Sequence, residues 1–155
     1  MSAMTTHQLP FHLRNVGKRD VRSQFGALCY RVVDGKVKIL LVTSRGRGRW
    51  IIPKGWPLHR ATPAEAAANE AYEEAGVRTR TTDSVIGFFT YLKVQGGRKM
   101  SVVVAVFPSE VTQELPHWPE KGQRRRKWVG RKKAAKMVDA PELAAIIRNF
   151  DPSKL

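Results

Sequence analysis

Apolar and polar positions along the chain alternate in blocks that predict strands at the start, one strong helix in the middle and a second helix near the end. Val21–Val33 and Lys36–Thr43 are strand-like runs separated by Asp34-Gly35, a two-residue turn signal, so the pair reads as a hairpin. The polar stretch SRGRGR follows, then a short apolar piece, Trp50-Ile51-Ile52, stopped by Pro53. The period then changes. Thr62-Pro63-Ala64-Glu65 has the form of a capping box, with Thr62 as N-cap, Pro63 at the first helical position and Glu65 reaching back to the cap. An alanine-rich run continues to Ala75, and Gly76 stands where a left-handed terminating residue belongs. Val85–Val94 and Lys99–Phe107 predict a second hairpin around Gln95-Gly96-Gly97. Pro108 to Gly122 reads as loop, Arg126–Val129 as a short strand, and Pro141–Phe150 as an amphipathic closing helix. No period is sustained from Met1 to about Asp20. We read residues 1–20 as a mobile arm and 21–155 as one α+β domain, a mixed sheet flanked by helices.

Composition narrows this little until charge is considered. A chain of 155 residues is long enough for one sizeable core, and no apolar run approaches the roughly 20 residues of a membrane helix. The first ten residues lack the basic start and apolar stretch of a secretory signal, and the one cysteine, Cys29, lies in an apolar run as a buried thiol would. Both features predict the cytoplasm. The chain carries 28 Lys and Arg against 13 Asp and Glu, a formal charge of +15, which draws polyanions: polyphosphates, nucleic acid or an anionic surface. A solvated basic surface with no dedicated partner is the plainer reading of the same charge.

Against that background three carboxylates stand out. Glu70, Glu73 and Glu74 fall at i, i+3 and i+4 on the capped helix, within about 100° of arc, and so share one face. Like charges at this spacing repel, and they sit in the helix half where negative charge is disfavoured. A hard cation such as Mg²⁺ accepts such an oxygen cluster, completing its shell with waters and substrate phosphates. An isolated EAYEE string would more simply be a solvated face paired with Lys or Arg.

The surrounding residues decide between the two. Gly55 to Val77, GWPLHRATPAEAAANEAYEEAGV, resembles the Nudix box, G-x5-E-x7-R-E-U-x-E-E-x-G-U with U apolar: Gly55, Glu70, Ala71, Glu73, Glu74, Gly76 and Val77 are in register. Trp50 and Pro53-Lys54-Gly55 resemble the W-x-x-P-K-G lead-in of the diphosphoinositol polyphosphate phosphohydrolase-like branch. Trp118-Pro119-Glu120 and Trp128-Val129 resemble its later W-P-E…R-x-W segment. The resemblance covers about residues 21 to 150 and implies an α/β/α sandwich with a mixed sheet between helices. It also implies a Mg²⁺- or Mn²⁺-dependent hydrolase of phosphoanhydride bonds. Glu70 and Glu74 would bind the metal with the Gly55 carbonyl, and Glu73 would be the general base or a further ligand, the base varying across the family. Glu120 is a further metal or base candidate, or a plain surface carboxylate. Two box positions depart: Ala61 stands where the family has glutamate and Asn69 where it has arginine. Glu65 lies about 140° around the helix from Glu70 and already serves the cap, so it does not replace the missing carboxylate. Losing both members together leaves no unpaired charge.

Beyond the box, Arg45, Arg47 and Arg49 alternate and, if extended, point to one side; with Lys54 they would grip phosphates that the metal does not reach. A flexible basic loop is the alternative, favoured by Gly46 and Gly48. Lys121 to Lys136 holds nine Lys or Arg in sixteen residues, an RNA-cradle pattern, although Trp128 within it reads as core. His7, His12, His59 and His117 show no metal-ligand spacing. The reading is a Nudix pyrophosphohydrolase acting on an anionic polyphosphate, a diphosphoinositol polyphosphate or a dinucleoside polyphosphate. Its rival is a catalytically weakened Nudix fold that binds RNA or polyphosphate, and an RNA 5′-end pyrophosphohydrolase is a third reading.

Overall fold

The computed structural model of the chain describes residues 21–155, so the arm expected at residues 1–20 lies outside the described residues. Val21–Val33 forms β1 and Lys36–Thr43 forms β2, paired antiparallel up to Val33↔Lys36. Asp34 (φ 51°) and Gly35 (φ 76°) both take the left-handed conformation that a two-residue hairpin turn of the favoured twist requires. β3 (Trp50–Ile51) adds to β2, and β4 (Lys54–Gly55) adds to β1. The capped segment is α1 (Pro63–Glu70), prolonged by a wider π-type turn over Ala71–Ala75 and closed by Gly76 at φ 66°. β5 (Val77–Thr81) and β6 (Gly87–Gln95) both pair antiparallel with β7 (Arg98–Glu114), which runs parallel to β1 from Val21↔Ser101 to Tyr30↔Glu110. β8 (Arg126–Gly130) pairs with β2, and α2 (Arg131–Met137) and α3 (Pro141–Asn149) follow. The sheet is mixed, as expected.

Alternation along the central strands divides the core in two. Leu28, Tyr30, Ile39 and Leu41 face α2 and α3, where they meet Leu143, Ile147 and Phe150. Ala27, Cys29, Leu40 and Val42 face the other way, onto Ala64, Ala67, Ala71 and Ala75 of the α1 segment. Helices therefore cover both faces, which is the α/β/α sandwich. Cys29 is fully buried, and burial pushes its thiol up to about 12, the inert state expected of it.

Three elements differ from expectation. The stretch after Phe107 is not loop: β7 continues to Glu114 through Pro108. β6 pairing ends at Val106 and β5 pairing begins at Ser109 on the same edge, so the missing N–H of Pro108 faces the seam between two partners, while its carbonyl accepts from Thr82 N at 2.9 Å. β5 has no apolar alternation to announce it. Its inward row is Val77, Thr79 and Thr81; the two threonine hydroxyls bond each other at 2.8 Å, and that of Thr81 donates to Ser109 Oγ at 3.0 Å. α2 is seven residues inside the basic run and buries only Ala134 and Ala135. Among the described residues no helix is long and apolar enough to cross a membrane.

Candidate active site

The site is built from the small face of α1. Thr62 Oγ1 accepts from Glu65 N at 3.1 Å and Glu65 Oε1 accepts from Thr62 N at 2.8 Å, so both halves of the capping box form. With alanine at 64, 67, 71 and 75, the helix lies close on the sheet and carries its polar residues to the ends of β1 and β4. Gly55 on β4 is where they meet: a Cβ there would collide with the Glu70 carboxyl and push it from its present place. Glu74 is 6% exposed. Its Oε1 lies 3.4 Å from the Lys54 backbone N and its Oε2 lies 3.4 Å from Arg124 Nη2. Glu70 and Glu74 lie close enough for each to perturb the other's titration. Burial, and after it the Glu74 charge, pushes the Glu70 carboxyl up to about 8. Glu74 is also raised by burial, against the pull of Arg124 and Lys54.

Of the three helical carboxylates expected on one face, Glu70 and Glu74 are the pair beside Gly55 and Lys54, while Glu73 adds its charge to Glu70 and takes a partner of its own. Glu73 Oε2 accepts from Asn69 Nδ2 at 2.7 Å, so the asparagine at the family's arginine position supports this carboxylate. Glu73 also holds the distal loop, residues 115–125 between β7 and β8, since its carbonyl accepts from Glu120 N at 3.0 Å. Among the described residues no group of three or more His, Cys, Asp or Glu side chains forms a metal cluster. Two mutually repelling carboxyls, one buried and one half-buried, beside a glycine nonetheless fit Mg²⁺, which binds through one or two carboxylates and leaves its remaining positions to water and phosphate.

Lys54 reaches into the same space. Its ammonium stands 4.6 Å from the centre of the Tyr91 ring, and Tyr91 Oη donates to the buried Gln24 Oε1 at 2.8 Å. Burial lowers the Lys54 pKa, opposed chiefly by Glu74.

The distal loop supplies residues that were not singled out from the sequence. Arg124 donates from Nε to Glu120 Oε1 at 2.7 Å and from Nη1 to Thr43 O at 3.1 Å, besides its approach to Glu74. Arg126 donates to Ala75 O at 2.8 Å, Gly76 O at 3.2 Å and Leu115 O at 3.2 Å, satisfying carbonyls that the end of the helical segment leaves free. Trp118 lies under the same guanidinium, 4.0 Å from ring centre to Cζ, and against Gly76, where no Cβ would fit. Glu120 is therefore no free surface carboxylate.

The arginine loop is not extended. Ser44 N donates to Arg49 O at 2.7 Å and Gly48 N to Ser44 O at 3.1 Å, with Gly46 and Gly48 both left-handed, so the three side chains do not form one row. Arg45 bonds Gln123 Oε1 at 3.0 Å beside the distal loop, Arg47 is exposed, and Arg49 stands 3.6 Å from Asp139. Trp128 is half-buried at the edge of the α1-side core. Its Nε1 donates to Glu114 Oε1 at 2.9 Å, and Arg31 lies 4.1 Å above its ring.

Comparison with known proteins bears on the whole chain. A profile described as the NUDIX domain matches residues 22–150. Nudix hydrolase 13, mitochondrial, of Arabidopsis thaliana is 29% identical over 123 residues, 76% of this chain and 61% of that protein. Diphosphoinositol polyphosphate phosphohydrolase 2 of Rattus norvegicus is 29% identical over 131 residues, 83% of this chain and 69% of its own length. The chain spans between about half and three fifths of the length of the plant relatives just described and their kin. Among solved structures, a C. elegans Ap4A hydrolase superposes with a TM-score of 0.62 at 22% identity, over 87% of this chain and 99% of that one. The MutT protein from Methanosarcina mazei Go1 gives 0.64 at 20%, over 90% and 99%. These likenesses show the fold.

Proposed function

The chain belongs to the Nudix family, and from that premise we propose that it is a divalent-metal-dependent hydrolase of phosphoanhydride bonds. Its substrate would be a polyphosphorylated small molecule, a diphosphoinositol polyphosphate or a dinucleoside polyphosphate. The observation that carries this reading is the Glu70–Glu74 pair at the mouth of β4, a buried and a half-buried carboxylate with the Glu70 carboxyl set against Gly55. Glu70, Glu74 and the Gly55 carbonyl would hold Mg²⁺ or Mn²⁺, which when bound neutralises phosphate oxygens and lowers the pKa of a bound water. The chain's own residues do the rest. Glu73, oriented by Asn69, accepts the proton of the attacking water. Lys54, fixed over Tyr91, binds a phosphate next to the scissile bond.

The relatives support the substrate class by name only. The rat protein's name specifies diphosphoinositol polyphosphates and the nematode protein's title specifies Ap4A. The charge of +15 suits either, and RNA remains a further candidate partner on charge alone. We place the activity in a reducing compartment, the cytoplasm, because the single cysteine is buried and unpaired; the plant relatives carry organelle names, so fractionation of cells decides the location. The rival reading, a weakened fold that only binds, rests on Ala61 and Asn69. Asn69 keeps Glu73 partnered, and we retain the enzyme. The test is phosphate release with Mg²⁺ or Mn²⁺ on an inositol pyrophosphate, a dinucleoside tetraphosphate and ADP-ribose, with products identified. Binding of these polyanions without release from any of them would establish the rival.

A further inference from the structure

The distal loop brings a cation of the chain's own into the acidic cluster. The Arg124 side chain is 8% exposed, and its guanidinium is tied on three sides, to Glu120, to the Thr43 carbonyl and towards Glu74. We propose that Arg124 occupies the place of a second divalent ion between Glu74 and Glu120, so that the site takes one metal ion per chain, on the Glu70 side of Glu74. This deepens, and rests on, the hydrolase reading above.

Local charge agrees with a single ion. A metal held by Glu70 and Glu74 requires both to be ionised, and on that count Glu70, Glu73, Glu74 and Glu120 stand against Arg124 and Lys54; four carboxylates and two cations leave two negative charges, which one divalent ion cancels. A second ion would add two uncompensated positive charges in a part of the site where Glu74 and Arg124 are both almost fully buried. The chemistry of arginine also matters. Lysine escapes a crowded cation site by releasing its proton, whereas a guanidinium stays charged at any ordinary pH. An ion entering between Glu74 and Glu120 would have to expel Arg124 from its carboxylates and strand it against the Thr43 carbonyl, an unpaired buried charge. The two oxygens of Glu74 are already divided accordingly: Oε2 belongs to Arg124, and Oε1 lies on the β4 side, by Lys54 N. Glu120 then serves as the counter-charge of Arg124, not as a metal ligand or base.

The test is a Mn²⁺ titration of the full chain without substrate, followed by the electron paramagnetic resonance signal of the free ion. Wild type should take up one tightly held ion and Arg124→Gln two. Two tight ions on wild type, or one on Arg124→Gln, would overturn the proposal and leave the hydrolase reading standing; no uptake at all would remove both. Should Arg124→Gln fail to give the wild-type circular dichroism spectrum, Glu120→Gln decides. Its affinity for the first ion should match wild type, whereas a loss of about tenfold or more, the scale of disturbing a metal's surroundings, would show that Glu120 serves the ion directly.

Discussion

The α1 carboxylates and the arginine loop are both dense in one sign of charge, yet they are built on opposite terms. Glu74 is sunk against the sheet and faced by Arg124, with Glu70 half-buried beside it. Arg45, Arg47 and Arg49 stand on an exposed turn, and the one ion pair among them, Arg49 with Asp139, is 54% and 72% exposed. Burial multiplies the strength of a charge, and exposure to salt and water divides it. The acidic end of the helix is therefore where chemistry is decided, and the loop is where approach and selection are biased.

The sharpest break of the comparison is Glu74→Gln. It keeps the shape of a carboxyl whose charge burial already disfavours, so the metal-free chain at neutral pH should melt no lower than wild type. Hydrolysis should fall by at least about 10²-fold, the scale of losing a metal or proton-transfer role. Glu70→Gln should behave alike. Retained activity in Glu70→Gln, Glu73→Gln and Glu74→Gln together would move the reaction elsewhere in the molecule.

Lys54 comes next, a half-buried cation placed between the two regions. Lys54→Met keeps the apolar stem and removes the charge, and KM for a polyphosphate should rise by about tenfold or more, the worth of a charged hydrogen bond. Tyr91→Leu removes the ring beneath the ammonium and should give a smaller rise, while Tyr91→Phe keeps the ring and loses only the bond to Gln24. Equal effects from Leu and Phe would mean that the hydroxyl, and not the ring, positions Lys54.

How far these roles were legible in the sequence depended on whether their partners were local. The caps of α1 are contacts within four residues, and Thr62, Glu65 and Gly76 do what their spacing predicts. Gly55, Glu70 and Glu74 were found through resemblance, and the fold places them together. Arg124 and Arg126 were hidden in a run that reads as a solvated basic stretch, because their partners Thr43 and Ala75 lie 81 and 51 residues away. A period of two was present there all the same: Arg124, Arg126 and Trp128 turn inward while Arg125 and Lys127 are exposed. β5 escaped for a related reason, since its inward row beyond Val77 is threonine and the apolar pattern that marks a half-buried strand is missing. The wider turn at Ala71–Ala75 lies outside what a uniform helical wheel describes, and so does the bond that Glu73, within it, makes back to Asn69.

A third effect, smaller again, concerns Ala61 and Asn69. Asn69→Arg alone withdraws the donor that Glu73 now uses and introduces a cation with no glutamate at position 61 to receive it, so activity should drop a few-fold, by roughly 1 kcal/mol of lost hydrogen bonding. Ala61→Glu alone should do little or slight harm. The double variant should recover more than the sum of the singles, a coupling of about 0.5 kcal/mol or more in a double-mutant cycle. Strict additivity would mean that these two positions do not meet in this protein.

The smallest effects belong to the arginine loop, and they carry the information on substrate. A metal site neutralises phosphates only at the scissile bond, so a densely phosphorylated inositol or a long dinucleoside polyphosphate needs further cations. Arg45 is placed for this, bonded to Gln123 next to Arg124, whereas Arg49 is already engaged by Asp139. Arg45→Ala should raise KM for the dense substrates by about two- to fivefold, the scale of an exposed charge pair, with kcat unchanged. Arg47→Ala should do the same or less, Arg49→Ala less still, and ADP-ribose should be turned over nearly as before by all three. The advantage of dense substrates over ADP-ribose should also shrink from low to physiological salt, where exposed charges are screened within about 8–10 Å. If ADP-ribose is instead the best substrate and its lead is indifferent to salt, the exposed arginines serve something other than substrate choice, and the contrast between a buried site that reacts and a surface that selects fails at its second half.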